Sequence, residues 1–385
     1  MQGEWWVGPE ELHDEQKNVI SLPVEGDYLI QGPPGSGKTN LLLLRANYLT
    51  LAGHKNILVL VFTRTLRNFM VSGAQKYAFP TEKVQTSTKW SHDLLYAYGI
   101  PTNPPNDFIQ RRQYFIEQLN ALITNRGLKN IYDAILLDEA QDYLPEEISI
   151  FRQLGGTLFV VADSRQKIYK GADAIGKLGE IIKKKIELRY HYRNGLKICQ
   201  FADGLAKDSI DYQSLVPTCN YQEAVKPSSV DDFQCVDIDE QAKRIIGQLE
   251  VQLKAYPGEM IGVISPQIHE VDQLWECICA AGYEGISVLQ RGGDHADFSE
   301  ETRICVGTFH AVKGLEFRAV HMAGCEHLRH FPHQRNLAYM AATRAKTSLS
   351  IYYSGSLPGY VQGALAKLKP DPDLPKISDV FGGKS

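Results

Sequence analysis

The sequence predicts an α/β protein with two domains, each built on a parallel sheet flanked by helices. Three observations support this class. The chain has 385 residues, of which 43% are apolar, enough to form two cores of ordinary size. A glycine-rich loop joins a short apolar run to a leucine-rich segment at residues 28–44. Further along, short apolar runs alternate with helical patterns, as is typical of buried parallel strands.

The glycine-rich loop at residues 31–40 has the sequence QGPPGSGKTN. Its glycines allow the chain to wrap phosphate oxygens closely with backbone N–H groups, and the following helix points its positive dipole end at the anion. Lys38 can reach the β- and γ-phosphates, and the Thr39 hydroxyl can bind Mg²⁺. An ordinary surface loop is the alternative, which the flanking strand and helix disfavour. The predicted nucleotide contacts here are Gly32, Pro33, Pro34, Gly35, Ser36, Gly37, Lys38, Thr39 and Asn40.

The remaining apolar runs of the first half lie at residues 56–63, 134–137 and 157–163, with a shorter one beginning at residue 84. Together with the run before the loop, they predict one complete parallel sheet whose ligand lies at the carboxyl ends of the strands. A short amphipathic helix is expected over residues 12–20, with Gln16 exposed on it.

The run at residues 134–137 ends in Asp138 and Glu139, 100 residues after Lys38. Asp138 can hold Mg²⁺, directly or through water, and Glu139 can polarise the water that attacks a phosphate. A carboxylate pair that caps the following helix is the alternative. Both readings can hold together, and the presence of the phosphate loop favours catalysis.

From residue 186 the strand–helix pattern restarts, with strands predicted at residues 261–264, 286–289, 304–307, 320–323 and 349–353. This second α/β domain has no phosphate loop, so we expect it to share the nucleotide of the first. The predicted domains therefore span residues 1–180 and 181–369, followed by an extended or disordered tail at residues 370–385.

Composition excludes several classes of protein. The net charge of −4 excludes a protein that is basic throughout, although a local basic groove remains compatible with it. The densest basic run, residues 183–185, is expected to be a solvated helix end. Seven cysteines, of which only Cys277 and Cys279 are close in sequence, predict buried or idle thiols in a reducing compartment. No apolar run is long enough to cross a bilayer and residues 1–4 lack a basic leader, so we expect a cytoplasmic protein without membrane contacts.

Five ordered motifs lie at residues 32–39, 138–142, 192–193, 310–317 and 339–346. Together they resemble the motifs of the UvrD/Rep-like superfamily 1 helicases, and the resemblance spans residues 16–353. It implies two tandem RecA-like domains, of the kind found in P-loop NTPases, with an ATP cleft between them. It also implies ATP hydrolysis with Mg²⁺ and movement in the 3′ to 5′ direction on single-stranded DNA.

The same resemblance implies roles for individual residues of the ATP site. Gln16 corresponds to the glutamine that reads the adenine edge, and Tyr192 to the tyrosine that stacks on the base. Gln166 corresponds to the residue that senses the γ-phosphate, and Glu316 to the residue near the ribose.

Arg193 and Arg344 resemble the two arginine fingers that enter the site from the second domain. Phosphoryl transfer spreads negative charge over the γ-phosphate oxygens, and planar guanidinium groups stabilise that charge. If both groups come from the opposite domain, hydrolysis requires closure of the cleft, which couples the chemistry to motion.

Nucleic acid would, by similarity, cross the strand ends of both domains. Phe62 and Trp90 are candidates for stacking on unpaired bases, at about 1–3 kcal/mol per base, although an aromatic residue beside a strand end is often part of the core. The candidate nucleic-acid contacts are Phe62, Thr63, Arg64, Thr86, Trp90 and His310.

The sequence also departs from the family pattern. Gln166 is followed by Lys-Ile-Tyr-Lys-Gly-Ala, without the usual Trp-Arg pair, Ala162 replaces the usual glycine before Asp163, and Thr-Arg-Thr-Leu replaces Thr-Asn-Lys-Ala after Phe62. The intervals at residues 91–133 and 200–302 leave room for at most a small inserted subdomain. We therefore expect ATP hydrolysis and single-strand translocation rather than processive unwinding.

Two alternatives remain open at this point. The chain can be a nucleotide-gated ATPase subunit that partners a nuclease or another effector, as in compact anti-phage systems, with little unwinding of its own. It can also be a motor that moves on RNA, since only the resemblance distinguishes the two tracks.

Overall fold

Two six-stranded sheets, each parallel throughout, organise the computed structural model. The structure describes residues 12–74, 77–163, 174–206, 212–291, 298–299, 301–329 and 332–368. Helices pack on both faces of each sheet, so the α/β class and the two RecA-like domains predicted from the sequence are confirmed. The predicted tail at residues 370–385 lies outside the described part of the chain.

The first sheet has the strand order β3-β2-β4-β5-β1-β6. Its strands are β1 (Tyr28–Gln31), β2 (Ile57–Val61), β3 (Val84–Thr86), β4 (Tyr132–Leu137), β5 (Gly155–Ala162) and β6 (Lys184–Glu187). Its helices are α1 (Asp14–Ile20), α2 (Lys38–Leu51), α3 (Arg64–Ala74), α4 (Ser87–Ala97), α5 (Phe108–Arg126), α6 (Pro145–Leu154) and α7 (Ala174–Ile181).

The central strands of this sheet are continuous apolar runs because both of their faces are covered. In β2, Leu58 and Leu60 contribute to the core on one face, and Val59 and Val61 contribute to the core on the other. The polar residues that follow each strand are therefore carried to one edge of the sheet, the carboxyl edge.

The second sheet has the order β7-β12-β11-β8-β10-β9. Its strands are β7 (Ser229–Cys235), β8 (Ile261–Ser265), β9 (Ser287–Gln290), β10 (Ile304–Thr308), β11 (Phe317–Met322) and β12 (Ala345–Ser354). Its helices are α8 (Leu196–Ala206), α9 (Ile238–Ala255), α10 (Ile268–Ile278), α11 (Pro332–Ala342) and α12 (Gly359–Ala366).

Two edge strands, β6 and β7, were not predicted. The expectation of a solvated helix end at residues 183–185 is wrong, because α7 ends at Ile181 and Lys184 and Lys185 lie in β6, paired with β1. The Lys184 ammonium lies 5.2 Å from the centroid of the Tyr28 ring. Since β6 belongs to the first sheet, the boundary predicted after residue 180 falls before the last strand of that domain.

The two intervals expected to lack large insertions contain core elements in the described residues. Between residues 91 and 133 the addition is a single 19-residue helix, α5, which packs beside α4. Between residues 200 and 302 the chain forms the end of α8 and then β7, α9, β8, α10 and β9. Across the described ranges, no helix is both long and apolar enough to cross a membrane.

Gly204 marks the closest approach of α8 to α12, and its replacement tests that packing. A Cβ at this position would lie 2.8 Å from both Cα and Cβ of Ala364, so Gly204→Ala requires movement of the helix backbone. We expect a loss of roughly 1–3 kcal/mol in the free energy of unfolding, measured by urea denaturation of the second-domain transition.

Gly247 provides the matched control, since it lies within α9 and a Cβ there meets nothing within 4 Å. Gly247→Ala is expected to increase stability by about 0.5–1 kcal/mol, because alanine loses less backbone entropy in a helix. Equal effects of the two substitutions would contradict the close α8–α12 packing.

Candidate active site

A cavity of 680 Å³ lies between the two domains, at the carboxyl edge of the first sheet. It is lined by the phosphate loop, the ends of β4 and β5, and residues around β11 and the α11–β12 turn of the second domain. Of the predicted site residues, the cavity brings together Gln16, Pro34, Gly35, Gly37, Lys38, Thr39, Asn40, Asp138, Glu139, Tyr192, Arg193, Glu316 and Arg344. Gly32, Pro33 and Ser36 belong to the same loop but do not line the cavity, and Gln166 lies outside the described residues.

The phosphate loop requires glycine at two positions. Gly35 and Gly37 have φ values of 79° and 84°, in the left-handed region that residues with a Cβ rarely adopt. A Cβ on Gly35 would lie 2.7 Å from the Cβ of Arg193, and one on Gly37 would lie 2.7 Å from Nε2 of Gln16. The loop can therefore approach the second domain and the first helix only because these side chains are absent.

Lys38 begins α2 and folds back over the loop. Its ammonium donates hydrogen bonds of 2.8 Å to the carbonyl oxygens of Gly32 and Pro33, and it lies 4.0 Å from the Asp163 carboxylate. Burial lowers the pKa of Lys38, while Asp163 and Glu139 oppose that change. The amine is thus held at the mouth of the loop, among acceptors that a phosphate can replace.

Thr39 and Asp138 lie 99 residues apart in sequence and are joined directly. The Thr39 hydroxyl donates to Oδ2 of Asp138 at 2.9 Å, and the other carboxylate oxygen accepts from the backbone N–H of Glu139 at 2.8 Å. These are hard oxygen ligands of the kind that Mg²⁺ prefers. Burial, followed by the negative charge of Glu139, raises the pKa of Asp138 to about 7.

Glu139 is oriented toward the second domain by an unusual backbone conformation. Its φ of 48° is left-handed, which is uncommon for a residue with a side chain and marks local strain. Burial acts to raise its pKa, but the positive charges of Lys313, Arg344 and Lys38 outweigh burial and lower it. The carboxylate is therefore ionised at neutral pH and able to accept a proton.

Gln141 supports Glu139, a role that the sequence did not predict. Its side-chain amide donates to the Glu139 carboxylate, and its amide oxygen accepts from the backbone N–H of Asp163 at 2.9 Å. Gln141 thus connects the ends of β4 and β5. The signal available in the sequence was its position two residues after Glu139, within the motif at residues 138–142.

The second-domain side of the cavity carries the two predicted arginines. Arg193 is 8% exposed and donates to Glu316 through Nη1, while its buried Nε and Nη2 have no hydrogen-bond partner among the described residues. The Arg344 guanidinium donates to the carbonyl oxygens of Met340 and Leu315, each at 3.2 Å. Burial and the neighbouring Arg193 lower the pKa of Arg344 to about 10, so it stays charged at neutral pH.

The segment that carries Arg193 is fixed to the second domain. The next residue, Asn194, donates from its side chain to the carbonyl oxygens of Thr343 and Ala345 at 2.8 and 2.6 Å. Gly195 donates from its backbone to Lys346 at 2.9 Å. The position of the Arg193 guanidinium therefore depends on the placement of the second domain.

The far end of the cavity contains an aromatic pair. The Tyr192 ring stacks on His13 with centroids 4.0 Å apart and an interplanar angle of 8°. The expectation that Gln16 is exposed is wrong, because its side chain is only 6% exposed. Its side-chain N–H donates to the Ser36 carbonyl at 3.0 Å, and its side-chain oxygen accepts from the backbone N–H of His13 at 3.1 Å. His13 is a further cavity residue that the sequence did not indicate.

A buried ion pair between the domains lies behind Glu139. The Lys313 ammonium donates to Asp142, and the two side chains are 2% and 0% exposed. Burial raises the pKa of Asp142 to about 6, although Lys313 opposes that rise. The closed arrangement of the cleft therefore includes a charge pair that opening would expose to water.

The predicted nucleic-acid residues differ in accessibility. The expectation that Trp90 stacks on a base is wrong for this arrangement, because Trp90 is 2% exposed, donates from Nε1 to the Tyr132 hydroxyl at 2.9 Å and packs against Phe151. Phe62 is half-buried and makes edge contacts with Phe108 and Tyr143, at centroid distances of 6.0 and 5.7 Å.

The polar nucleic-acid candidates also differ in accessibility. Thr63 and Thr86 accept hydrogen bonds through their side-chain oxygens from N–H groups in the first turns of α3 and α4, at 3.2 and 3.3 Å. Arg64 and His310 are exposed, at the carboxyl ends of β2 and β10. Two of the polar candidates therefore stabilise helix ends and two are accessible to a ligand.

In the comparison with known proteins, residues 303–352 match a family model described as the UvrD-like helicase C-terminal domain. The predicted resemblance to UvrD/Rep-like helicases is thereby confirmed. The matched segment contains His310, Lys313, Glu316 and Arg344, whereas Arg193, which approaches the phosphate loop at Gly35, lies outside it.

One solved structure with similarity to this chain is described as the C-terminal domain of a possible DNA helicase from Lactobacillus plantarun WCFS1. It is 19% identical, covers 46% of this chain and 96% of its own, and has a TM-score of 0.35. No curated protein matches the sequence.

The pair formed by Lys313 and Asp142 can be tested by removing the ammonium. Lys313→Ala leaves a buried carboxylate without its cation, which we expect to cost about 3–5 kcal/mol at about pH 8. The loss should be smaller near pH 5, where Asp142 becomes protonated and neutral. Urea denaturation at the two pH values measures the difference.

The control for this experiment is Lys254→Ala, which removes an exposed lysine paired with Glu250 at 3.2 Å. Its effect should remain within about 1 kcal/mol at either pH. If Lys313→Ala behaved like the control at both pH values, the ion pair would not contribute to holding the domains together.

Proposed function

We propose that the chain is an ATP-dependent DNA helicase or single-stranded DNA translocase of the UvrD/Rep type. In this proposal it hydrolyses ATP with Mg²⁺, moves 3′ to 5′ and works in the cytoplasm. The observation that carries the proposal is the meeting of two half-sites in one cavity. The first domain supplies Lys38, the Thr39–Asp138 pair and Glu139, and the second supplies Arg193, whose buried Nε and Nη2 have no hydrogen-bond partner among the described residues.

Each half-site suits a part of phosphoryl transfer. The Lys38 ammonium would exchange two loop carbonyls for phosphate oxygens, and Thr39 and Asp138 would hold Mg²⁺, which neutralises charge on the phosphates. Glu139, ionised at neutral pH, would orient the attacking water and accept its proton. Arg193 would donate its unpaired N–H groups to the oxygens on which negative charge develops.

The base would bind at the Tyr192 end of the cavity. An adenine ring can stack on Tyr192. Gln16, which lines the same cavity, extends from α1 to the Ser36 carbonyl of the phosphate loop. Because the His13 ring already stacks on Tyr192, it must either move away or stack on the base with the face that points away from Tyr192. Glu316, which lies between Arg193 and Lys346, is placed for the ribose in this proposal.

Movement would follow from the split between domains. The catalytic groups of the first domain and the arginines of the second meet only when the cleft is closed, so binding of ATP favours closure and hydrolysis weakens it. Arg64 and His310, exposed at strand ends of different domains, are the candidates that can hold a strand during this cycle.

A second candidate function is favoured by the position of Trp90. With that side chain in the core and Phe62 half-buried, the described strand ends offer little aromatic surface for bases. The alternative is a nucleotide-gated ATPase subunit that partners a nuclease or effector and unwinds little. In that case the cleft would cycle in the same way, while closure would be read by a protein partner.

ATP turnover with and without single-stranded DNA tests the first proposal. We expect DNA to stimulate the wild type, Lys38→Ala to lose nucleotide binding, and Glu139→Gln to bind ATP while its kcat falls by roughly 10²–10⁴. Glu117→Gln, which changes an exposed glutamate on α5, is the matched control and should retain activity.

Two further measurements complete this experiment: ATP turnover with single-stranded RNA, and a pull-down from the native host. Unchanged turnover in Glu139→Gln would exclude the assigned catalytic role. Absence of DNA stimulation would exclude the DNA motor: stimulation by RNA alone would indicate an RNA track, and a stoichiometric protein partner would indicate the gated subunit.

The raised pKa of Asp138 predicts a pH-dependent metal site. Below about pH 7 this carboxyl carries a proton in the nucleotide-free protein, and a divalent cation must displace it. Affinity for Mn²⁺, used as a paramagnetic substitute for Mg²⁺, should therefore weaken by about tenfold between pH 8 and pH 6 and level off above pH 8. Electron paramagnetic resonance of free Mn²⁺ measures this.

Asp138→Asn should bind Mn²⁺ more weakly and without that pH dependence. In the wild type, the folded chain holds the Asp138 proton more tightly than the unfolded chain does. The contribution of this carboxyl to the free energy of unfolding is therefore present at low pH and is lost as pH rises from about 4 to about 7. A wild-type Mn²⁺ affinity that did not vary across this range would contradict the assignment of Asp138.

A further inference from the structure

We propose that His191, Cys199 and Cys219 form a binding site for a thiophilic divalent cation, with Zn²⁺ as the ion. Among the described residues, one ring nitrogen and the two sulfur atoms of this group all lie within 4.8 Å of one another. None of the three lines the nucleotide cavity. The group lies in the second domain, just beside the segment that carries Tyr192 and Arg193.

Backbone hydrogen bonds fix the three side chains independently of any metal. His191 and Cys219 form an isolated parallel bridge, in which His191 donates to the Thr218 carbonyl at 3.1 Å and accepts from the Asn220 N–H at 2.9 Å. Cys199 lies in the first turn of α8, where its N–H donates to the Gly195 carbonyl at 3.0 Å. The ligand atoms are therefore brought together by the fold itself.

The separation of one pair of ligand atoms suits a tetrahedral ion. Nε2 of His191 lies 3.8 Å from Sγ of Cys199. Zinc bonds of about 2.0 Å to nitrogen and 2.3 Å to sulfur place two such ligands about 3.5 Å apart at a tetrahedral angle. This pair therefore needs a movement of only a few tenths of an ångström to bind.

The two thiols and the imidazole lie against backbone carbonyl oxygens. Both thiols donate to the Asn194 carbonyl, at 3.5 Å from Cys199 and 3.4 Å from Cys219, and Nε2 of His191 lies 3.0 Å from the Leu215 carbonyl. Binding of Zn²⁺ would release the two thiol protons to solvent and shift the imidazole proton to Nδ1. The ion would then share two thiolates and one imidazole, a ligand set that favours zinc over magnesium or calcium.

Access to the site comes from one side. His191 and Cys199 are fully buried, whereas Cys219 is partly exposed. An ion can therefore enter past Cys219, and a water molecule can complete the fourth position. The loop on that side is anchored by Asp203, which accepts from the backbone N–H groups of Leu215 and Val216 at 2.8 and 3.2 Å.

The consequence of zinc binding concerns Arg193. The ion would join His191 to Cys199 of α8 and to Cys219. His191 lies only two residues before Arg193 in the sequence. This effect on the nucleotide site depends on the proposed function, whereas the metal site itself does not. Metal binding is therefore measured without nucleotide, so that failure of either proposal can be distinguished.

The test uses the full chain, purified with a reductant, treated with a chelator and freed of both. Titration with ZnCl₂ against a chromophoric chelator should show about one tight site per chain. Titration with CoCl₂ should give the visible absorption of tetrahedral cobalt together with a thiolate-to-cobalt charge-transfer band. A thiol-reactive reagent should modify one fewer cysteine in the zinc-loaded protein, because Cys219 is partly exposed and Cys199 is already buried.

Cys199→Ser and Cys219→Ser should each weaken zinc affinity by at least roughly 10–100-fold, since even partners outside the ligand set have effects of that size. Cys277→Ser, a partly buried cysteine of α10, is the matched control and should bind as the wild type does. If a serine variant does not fold, the wild-type cobalt spectrum and thiol protection still decide the question.

Absence of zinc uptake by the reduced wild type would overturn the proposal. The same holds for equal loss of affinity in Cys277→Ser, or for a cobalt spectrum without a thiolate band. A protein that forms a disulfide between Cys199 and Cys219, and binds no zinc after that disulfide is reduced, would also contradict the proposal. The two cysteines would then only pack against each other.

Discussion

The hydrogen bond from Thr39 to Asp138 is the contact on which the first half-site depends. The strands β4, β5 and β1 lie side by side in the sheet, so their carboxyl ends deliver Asp138, Asp163 and the phosphate loop to one place. Lys38 and Thr39 begin the helix after the loop, and their side chains reach the ends of the other two strands. A parallel sheet with this strand order thereby assembles, from distant parts of the chain, the groups that phosphoryl transfer requires.

The second half-site depends on how the domains are held. Lys313 reaches across to Asp142, directly behind Glu139, and the loop before α2 approaches Arg193 so closely that Gly35 cannot carry a side chain. The positive charges of Lys313 and Arg344 also hold Glu139 in its ionised form. Opening the cleft would therefore move both arginines away from Glu139 and raise the proton affinity of its carboxylate. In the proposed function, this would link hydrolysis to closure electrostatically as well as sterically.

The sequence predicted those parts of the fold in which one local pattern is decisive. Apolar runs such as the one in β2 are buried on both faces, and the glycine–lysine–threonine loop has few structural alternatives. The edge strand β6 was missed because it contains lysines, and Trp90 was misassigned because its burial depends on Tyr132 and Phe151, which lie in distant segments. The ion pair between Asp142 and Lys313 joins residues 171 apart, which no local pattern indicates.

The left-handed backbone at Glu139 has a consequence for how this chain balances folding against chemistry. A side chain in that region costs about 1–3 kcal/mol, and glycine or asparagine would adopt it more easily. Selection for a robust fold alone would therefore not place a glutamate there. The strained residue is instead the one whose carboxylate faces Lys313 and Arg344 across the cleft. If Glu139 is the proposed base, stability is given up at the position where reactivity is gained.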